Sequence, residues 1–214
     1  MNITQNYNTV NLPNLGVLQE KIPIDLYNKL YAECLTAREK NKNIISGLTG
    51  RGVPDHFFIE KTYSDLQIYI SQLIQKYENT YNYLKTYNFF TKDHYLTIDK
   101  PWINFQKKYE FLPNHAHDGV LSYSMWIKIP YGEEEEKNYK KLKYENKKFY
   151  SFEFSYTNIL GQICNQSYEI TKKSEGYILM FPSKLIHCVY PFYTSDDYRI
   201  SISGNILFNS NSHT

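Results

Sequence analysis

From Leu96 onward the chain is cut into short runs that suit strands and not helices: "WINFQKKYEF", "VLSYSMWIKI", "FYSFEFSYT", "QSYEITK", "GYILMFP", "LIHCVYPFY" and "YRISISGNILF". Aromatic and β-branched side chains dominate them, polarity mostly alternates, and Gly, Pro and Asn punctuate the gaps. Such residues fit a pleated, half-buried surface, and period-two alternation bounded by turn residues is the signature of a strand. Short strands repeated at this spacing predict a β-sandwich or barrel.

The first part of the chain has a different period. Pro23 and Asp25 open a stretch in which Leu26, Leu30, Ala32 and Leu35 recur near helical spacing as far as Lys40. The next segment, "NIISGLTGRGVPDHFF", holds three glycines and a proline and reads as a turn-rich connection. A second helix is expected from about Thr62 to Lys85, since Thr62 to Asp65 offers capping hydroxyls and an acidic first turn. Leu66, Tyr69, Ile70, Leu73, Ile74 and Tyr77 form its apolar stripe. The expected fold is α+β and mainly β, one domain with helices over about 20–95 and a β core over about 96–208. The acidic block and lysines of "YGEEEEKNYKKLKYENKK" read as a solvated excursion between two strands.

Charge and cysteine content narrow the function classes. A formal net charge of +2 leaves no electrostatic footprint for nucleic acid or a membrane surface. Cys34, Cys164 and Cys188 are odd in number and scattered, which suits free thiols in a reducing compartment such as the cytoplasm. The start lacks a basic segment followed by an apolar run, and nowhere do about 18 apolar residues follow one another. Neither a cleavable signal nor a membrane span is expected. The 22 tyrosines and 12 phenylalanines accompany many Asn, Lys and Ile, residues that share A/T-rich codons, so codon composition explains them more simply than a stacking surface does.

Chemistry enters at "LPNHAHDGV", Leu112 to Val120. In an extended segment His115 and His117 point to the same side. A lone histidine is most simply a hydrogen-bonding residue. A pair at a strand edge, with His187 on a late strand, makes a metal site an equal contender. Imidazole suits iron, zinc, copper and nickel alike, so the metal stays open. On the last strand Arg199, Ser201 and Ser203 share one face, opposite Ile200 and Ile202. Either Arg199 faces solvent over a half-buried strand, or it points inward, where a guanidinium beside a hydroxyl matches a carboxylate.

Taken in order, His-x-His, a distal histidine after "GYILMFPS" and Arg-x-Ser on the last strand resemble the Fe(II)/2-oxoglutarate-dependent dioxygenases. "WINFQKKYEFLPNHAHDGVLSYSMWIKIP" and "EGYILMFPSKLIHCVYPFYTSDDYRISISGNI" are similar to the 2-oxoglutarate oxygenases common in bacteriophage genomes. The resemblance covers roughly residues 100 to 208. It implies a double-stranded β-helix, or jelly roll, with the N-terminal helices packed on the sheet. It further implies Fe(II) held by His115, His117 and His187, and 2-oxoglutarate as cosubstrate, its distal carboxylate paired with Arg199 and hydrogen-bonded by Ser201. Asn104, Gln106 and Tyr123 are further candidates to reach the cosubstrate, Tyr123 the foremost. His117 departs from the family pattern, which has a carboxylate there; Asp118 would return to the metal only through a local bulge.

The implied activity is hydroxylation of a C–H bond coupled to decarboxylation of 2-oxoglutarate. A non-catalytic jelly roll, such as a phage structural or interaction module, is the alternative from another class. A cupin-type metal protein is disfavoured, because "GVLSYS" over positions 119 to 124 lacks the glutamate that cupins place there. Substrate and oligomeric state are not inscribed in any motif, and specificity is assigned to the helical part and to the loops Ile45 to Asp55 and Tyr131 to Lys148.

Overall fold

The computed structural model describes residues 15–40, 55–86, 94–139 and 149–210. In chain order these form β1 (Leu18–Lys21), α1 (Ile24–Lys40), β2 (Asp55–Phe58), α2 (Tyr63–Tyr81), β3 (His94–Ile98), β4 (Trp102–Gln106), β5 (Leu112–His115), β6 (Leu121–Lys128), α3 (Glu133–Lys137), β7 (Ser151–Thr157), β8 (Ile163–Glu169), β9 (Tyr177–Pro182), β10 (Ile186–Val189) and β11 (Arg199–Ser210). The larger sheet has the order β1-β9-β6-β11-β4-β2, with β3 paired to the far half of β11; the smaller is β5-β10-β7-β8. Neighbouring strands are antiparallel throughout the described residues. The two sheets face each other without sharing a strand, a double-stranded β-helix with α1 and α2 on the outer side of the larger sheet.

Two apolar layers hold this arrangement. Leu30, Cys34, Leu66, Ile70, Leu73 and Tyr77 from the helices pack on Ile103, Phe105, Leu121, Met125, Ile202 and Ile206 of the larger sheet. Trp126, Phe152, Phe154, Leu179, Phe181 and Phe192 fill one end of the space between the sheets. Each such side chain contributes about 1.5–3 kcal/mol when fully buried. The larger sheet is therefore covered on both faces, and Arg199 is inside the molecule, 2% exposed, although the isoleucines beside it face a core as well. The solvent-facing alternative for Arg199 is excluded.

Three expectations need correction. α2 ends at Tyr81, short of Lys85, because Asn82 turns into the left-handed region (φ 52°) and donates its N–H to the Glu78 carbonyl. At its other end the Thr62 hydroxyl makes no cap. Instead the buried Glu33 carboxylate of α1 accepts the N–H groups of Glu60 (2.7 Å), Lys61 (2.8 Å) and Thr62 (2.8 Å). Burial would raise the Glu33 carboxyl, but bonds from Thr62 and from those backbone donors hold it below its ordinary range. Finally, the acidic block is not simply a solvated excursion. Glu136 on α3 is fully buried and accepts from Tyr193 N (2.9 Å), Thr194 N (2.7 Å) and Thr194 Oγ1 (2.6 Å). Positions 45–54 and 140–148, within the two loops given a role in specificity, lie outside the described residues.

Candidate metal and carboxylate site

A cavity of about 300 Å³ lies between the sheets. One wall is polar, built by Asn104, Gln106, Ser124, Ser201 and Ser203 of the larger sheet; the other is apolar, with Phe152, Phe181 and Val189 among its residues. At its mouth stand His115, His117 and His187, whose ligating nitrogens all lie within 4.8 Å of one another. His115 ends β5 and pairs across the ladder with His187 of β10. His117 lies beyond the end of β5, so strand alternation alone does not aim it. Its backbone N–H is tied to the Ser183 carbonyl (2.9 Å), and its ring approaches Trp102 at 5.9 Å between centroids.

Local hydrogen bonds decide which nitrogen each ring presents. His115 Nδ1 lies 2.7 Å from the Pro113 carbonyl and His187 Nδ1 lies 2.8 Å from the Leu185 carbonyl. A carbonyl can only accept, so both Nδ1 atoms carry the proton and both Nε2 atoms keep a free lone pair. Phe152 stacks on His187 with ring planes 16° apart, fixing it further. Burial, and then the neighbouring His115, pull His117 down to about 4 and His187 down to about 3. The two rings are thus neutral at physiological pH, the form that binds metal. Asp118 is fully exposed and bonds Lys184 at 3.0 Å, outside the cluster. Its carboxyl is lowered by that hydrogen bond and by the charge of Lys184. Three imidazoles gathered at one point fit a divalent transition metal, with one negative charge fewer than a set containing a carboxylate.

Deeper than the polar wall sits Arg199. Nε and Nη2 donate to Gln106 Oε1 (3.1 and 2.5 Å), Nη2 also to the Tyr190 carbonyl (2.8 Å), and Nη1 to the Tyr131 hydroxyl (3.1 Å). Its guanidinium lies 5.5 Å from the Phe192 ring centroid. All these partners are neutral, and among the described residues no carboxylate is paired with it. A buried cation balanced only by dipoles is a standing receptor for an anion. Ser201, two residues on, lines the cavity and accepts from Asn104 Nδ2 at 3.2 Å.

Tyr123 is placed elsewhere. It borders the cavity wall, but it alternates with Ser122 and Ser124, and its ring belongs to the layer between the larger sheet and the helices. Its hydroxyl lies over Gly204 on that side and has no hydrogen-bond partner, so the contact with the cosubstrate expected for it is not supported. Tyr131, which steadies Arg199, was missed by sequence reasoning; it follows the end of β6, where no periodicity marks it.

A jelly roll with three imidazoles at the mouth of its cavity and a buried arginine beyond its polar wall has the build of the Fe(II)/2-oxoglutarate oxygenases. Residues 100–205, just under half of the chain, match the family described as "Putative 2OG-Fe(II) oxygenase". That family implies Fe(II) and 2-oxoglutarate. Similar folds include a Pseudomonas putida prolyl-4-hydroxylase, with 14% identity and a TM-score of 0.57 over 89% of this chain and 91% of that one. The non-haem epimerase SnoN from nogalamycin biosynthesis has 11% identity and a TM-score of 0.60 over 90% of this chain and 76% of that one. A Trichoplax adhaerens prolyl hydroxylase in complex with a peptide fragment has 10% identity and a TM-score of 0.53 over 90% and 83%. No curated protein sequence matches the chain. Among the described residues no helix is long and apolar enough to cross a membrane.

Proposed function

We propose that this protein is a 2-oxoglutarate-dependent oxygenase of the hydroxylase type, with Fe(II) held by His115, His117 and His187. The observation that carries the reading is the pairing of two chemistries at one cavity: three imidazoles at its mouth and, beyond its polar wall, a buried guanidinium held by neutral partners alone. When bound, the metal supplies activation of dioxygen, so that one oxygen atom enters succinate as 2-oxoglutarate loses carbon dioxide and the other enters a substrate C–H bond. The chain's own part is to bind and to orient. Pro113 and Leu185 carbonyls hold the His115 and His187 rings in the ligating tautomer. Arg199 takes the distal carboxylate, with Ser201 adding a hydroxyl donor. Phe152 and Phe181 keep water from the cosubstrate. Phe58, Trp102 and Leu112 line the same cavity and offer an apolar surface to the substrate.

The test is anaerobic titration calorimetry with Mn(II) and then 2-oxoglutarate, followed by succinate formation with Fe(II) in air. Arg199→Ala should abolish 2-oxoglutarate binding and leave Mn(II) affinity intact. A wild-type protein that binds neither would sink the reading. The missing carboxylate favours a second one, a non-catalytic jelly roll that kept the fold; metal occupancy near zero with undiminished stability in His115→Ala and His187→Ala would select it. The likeness to phage oxygenases and the free thiols lead us to place its work in a reducing host cytoplasm.

A further inference from the structure

We infer that Gln106 is a placeholder for the cosubstrate, and that 2-oxoglutarate binds by displacing this one amide oxygen from Arg199. The inference rests on the role proposed for Arg199 as carboxylate anchor. Gln106 faces Arg199 across the β4–β11 ladder and is 4% exposed, yet it lines the cavity, whereas Arg199 does not. Its amide orientation is dictated by chemistry. Arginine can only donate, so Oε1 must face it; the Glu110 carbonyl, 2.5 Å from Nε2, can only accept.

Three groups therefore satisfy Arg199, and only one can yield to a ligand in the cavity. The Tyr190 oxygen is backbone, and the Tyr131 hydroxyl is itself anchored, donating to the Ile170 carbonyl at 2.8 Å. Neither residue borders this cavity. Gln106 borders it, and its Oε1 occupies the fork of Nε and Nη2, the two donors a carboxylate would grip bidentately. Exchanging a neutral oxygen for an anionic one turns a lone buried charge into a pair, which supplies the driving force. A 2-oxo acid without a distal carboxylate, such as pyruvate, has nothing with which to make the exchange and should not compete.

The experiment compares wild type, Gln106→Glu and Gln106→Ala, each loaded with Mn(II) under anaerobic conditions, by calorimetry with 2-oxoglutarate and by thermal unfolding. Gln106→Glu supplies a permanent internal carboxylate. It should raise the unfolding temperature and weaken 2-oxoglutarate at least about tenfold, or about 1.4 kcal/mol. Gln106→Ala removes the competitor and should lower the unfolding temperature while tightening 2-oxoglutarate several-fold. Opposite shifts in affinity are not what a merely structural residue would give. If Gln106→Ala weakens binding as Gln106→Glu does, Gln106 holds the ligand and the placeholder role is overturned; this arm decides alone should Gln106→Glu fail to fold. If wild type binds, Arg199→Ala does not, and both Gln106 variants equal wild type, displacement alone fails. Absence of binding in wild type removes the anchor reading with it.

Discussion

His115 and His187 stand opposite each other across the β5–β10 ladder with ring centroids 4.3 Å apart, and each is pinned through Nδ1 to the carbonyl two residues before it. The same contact, from ring to the carbonyl two residues earlier, therefore sets both rings. Removing either imidazole by His115→Ala or His187→Ala should lower Mn(II) affinity by on the order of 100-fold or more, since disturbing outer-shell partners alone costs about 10–100-fold. Calorimetry checks this, and unaltered affinity in both variants would count against the metal site.

The resemblance puts His117 where the oxygenase pattern has a carboxylate. His117→Asp adds a negative charge next to a dication. It should retain Fe(II) longer against a chelator and raise succinate formation above wild type. A variant that loses metal instead would show that the loop beyond β5 is shaped for imidazole.

Acid should destabilise the metal-free protein. An unfolded imidazole titrates near 6.5, whereas folded His117 and His187 titrate near 4 and 3. As pH falls below 6.5 the unfolded chain takes up protons first, so stability present above 6.5 declines until the folded rings also protonate. Urea midpoints at about pH 7.5 and about pH 5 should differ in that sense, and by less in His187→Gln. Equal drops in wild type and variant would remove His187 from the account.

Tyr123 and Gly204 form a pair on the helix side of the larger sheet. A Cβ on Gly204 would sit 2.4 Å from Tyr123 Oη and 2.6 Å from Cζ. Gly204→Ala should cost about 1–3 kcal/mol by overpacking. Tyr123→Phe deletes a buried hydroxyl without a partner and should leave stability equal or slightly higher. It should also leave 2-oxoglutarate affinity unchanged, which calorimetry can contradict.

Glu136 ties α3 to the segment before β11 through Tyr193 and Thr194. Glu136→Ala takes the acceptor from these part-buried donors, at about 1–3 kcal/mol in all. The unfolding temperature should fall by several degrees, and a surface-like response would show that the bonds are not made in solution.

Strand periodicity made much of the site legible. Arg199, Ser201 and Ser203 share a face because side chains alternate, and the same rule grouped Asn104 with Gln106. It failed at Tyr123 because β6 is buried on both sides. A tyrosine can follow the apolar set of Leu121 and Met125 as readily as the polar set of Ser122 and Ser124, and only the helices decide. β1 and β2, four residues each, are too short to show a period; β1 precedes the helix opened at Pro23, and β2 lies in a segment read as turn-rich. Glu136 looked like any acid in a charged run because its partners lie far along the chain.

β11 carries Arg199 at its start and, further along, the Ile206 carbonyl that receives the Val120 N–H at 2.8 Å. Gly119 (φ 107°), two residues after His117, fits there because it has no Cβ, which would come within 2.6 Å of that same carbonyl oxygen. One strand thus acts as a ruler, with the arginine at one graduation and the histidine loop seated on another. Adding a single residue between the two marks would turn Arg199 onto the helix side while leaving His115, His117 and His187 in place.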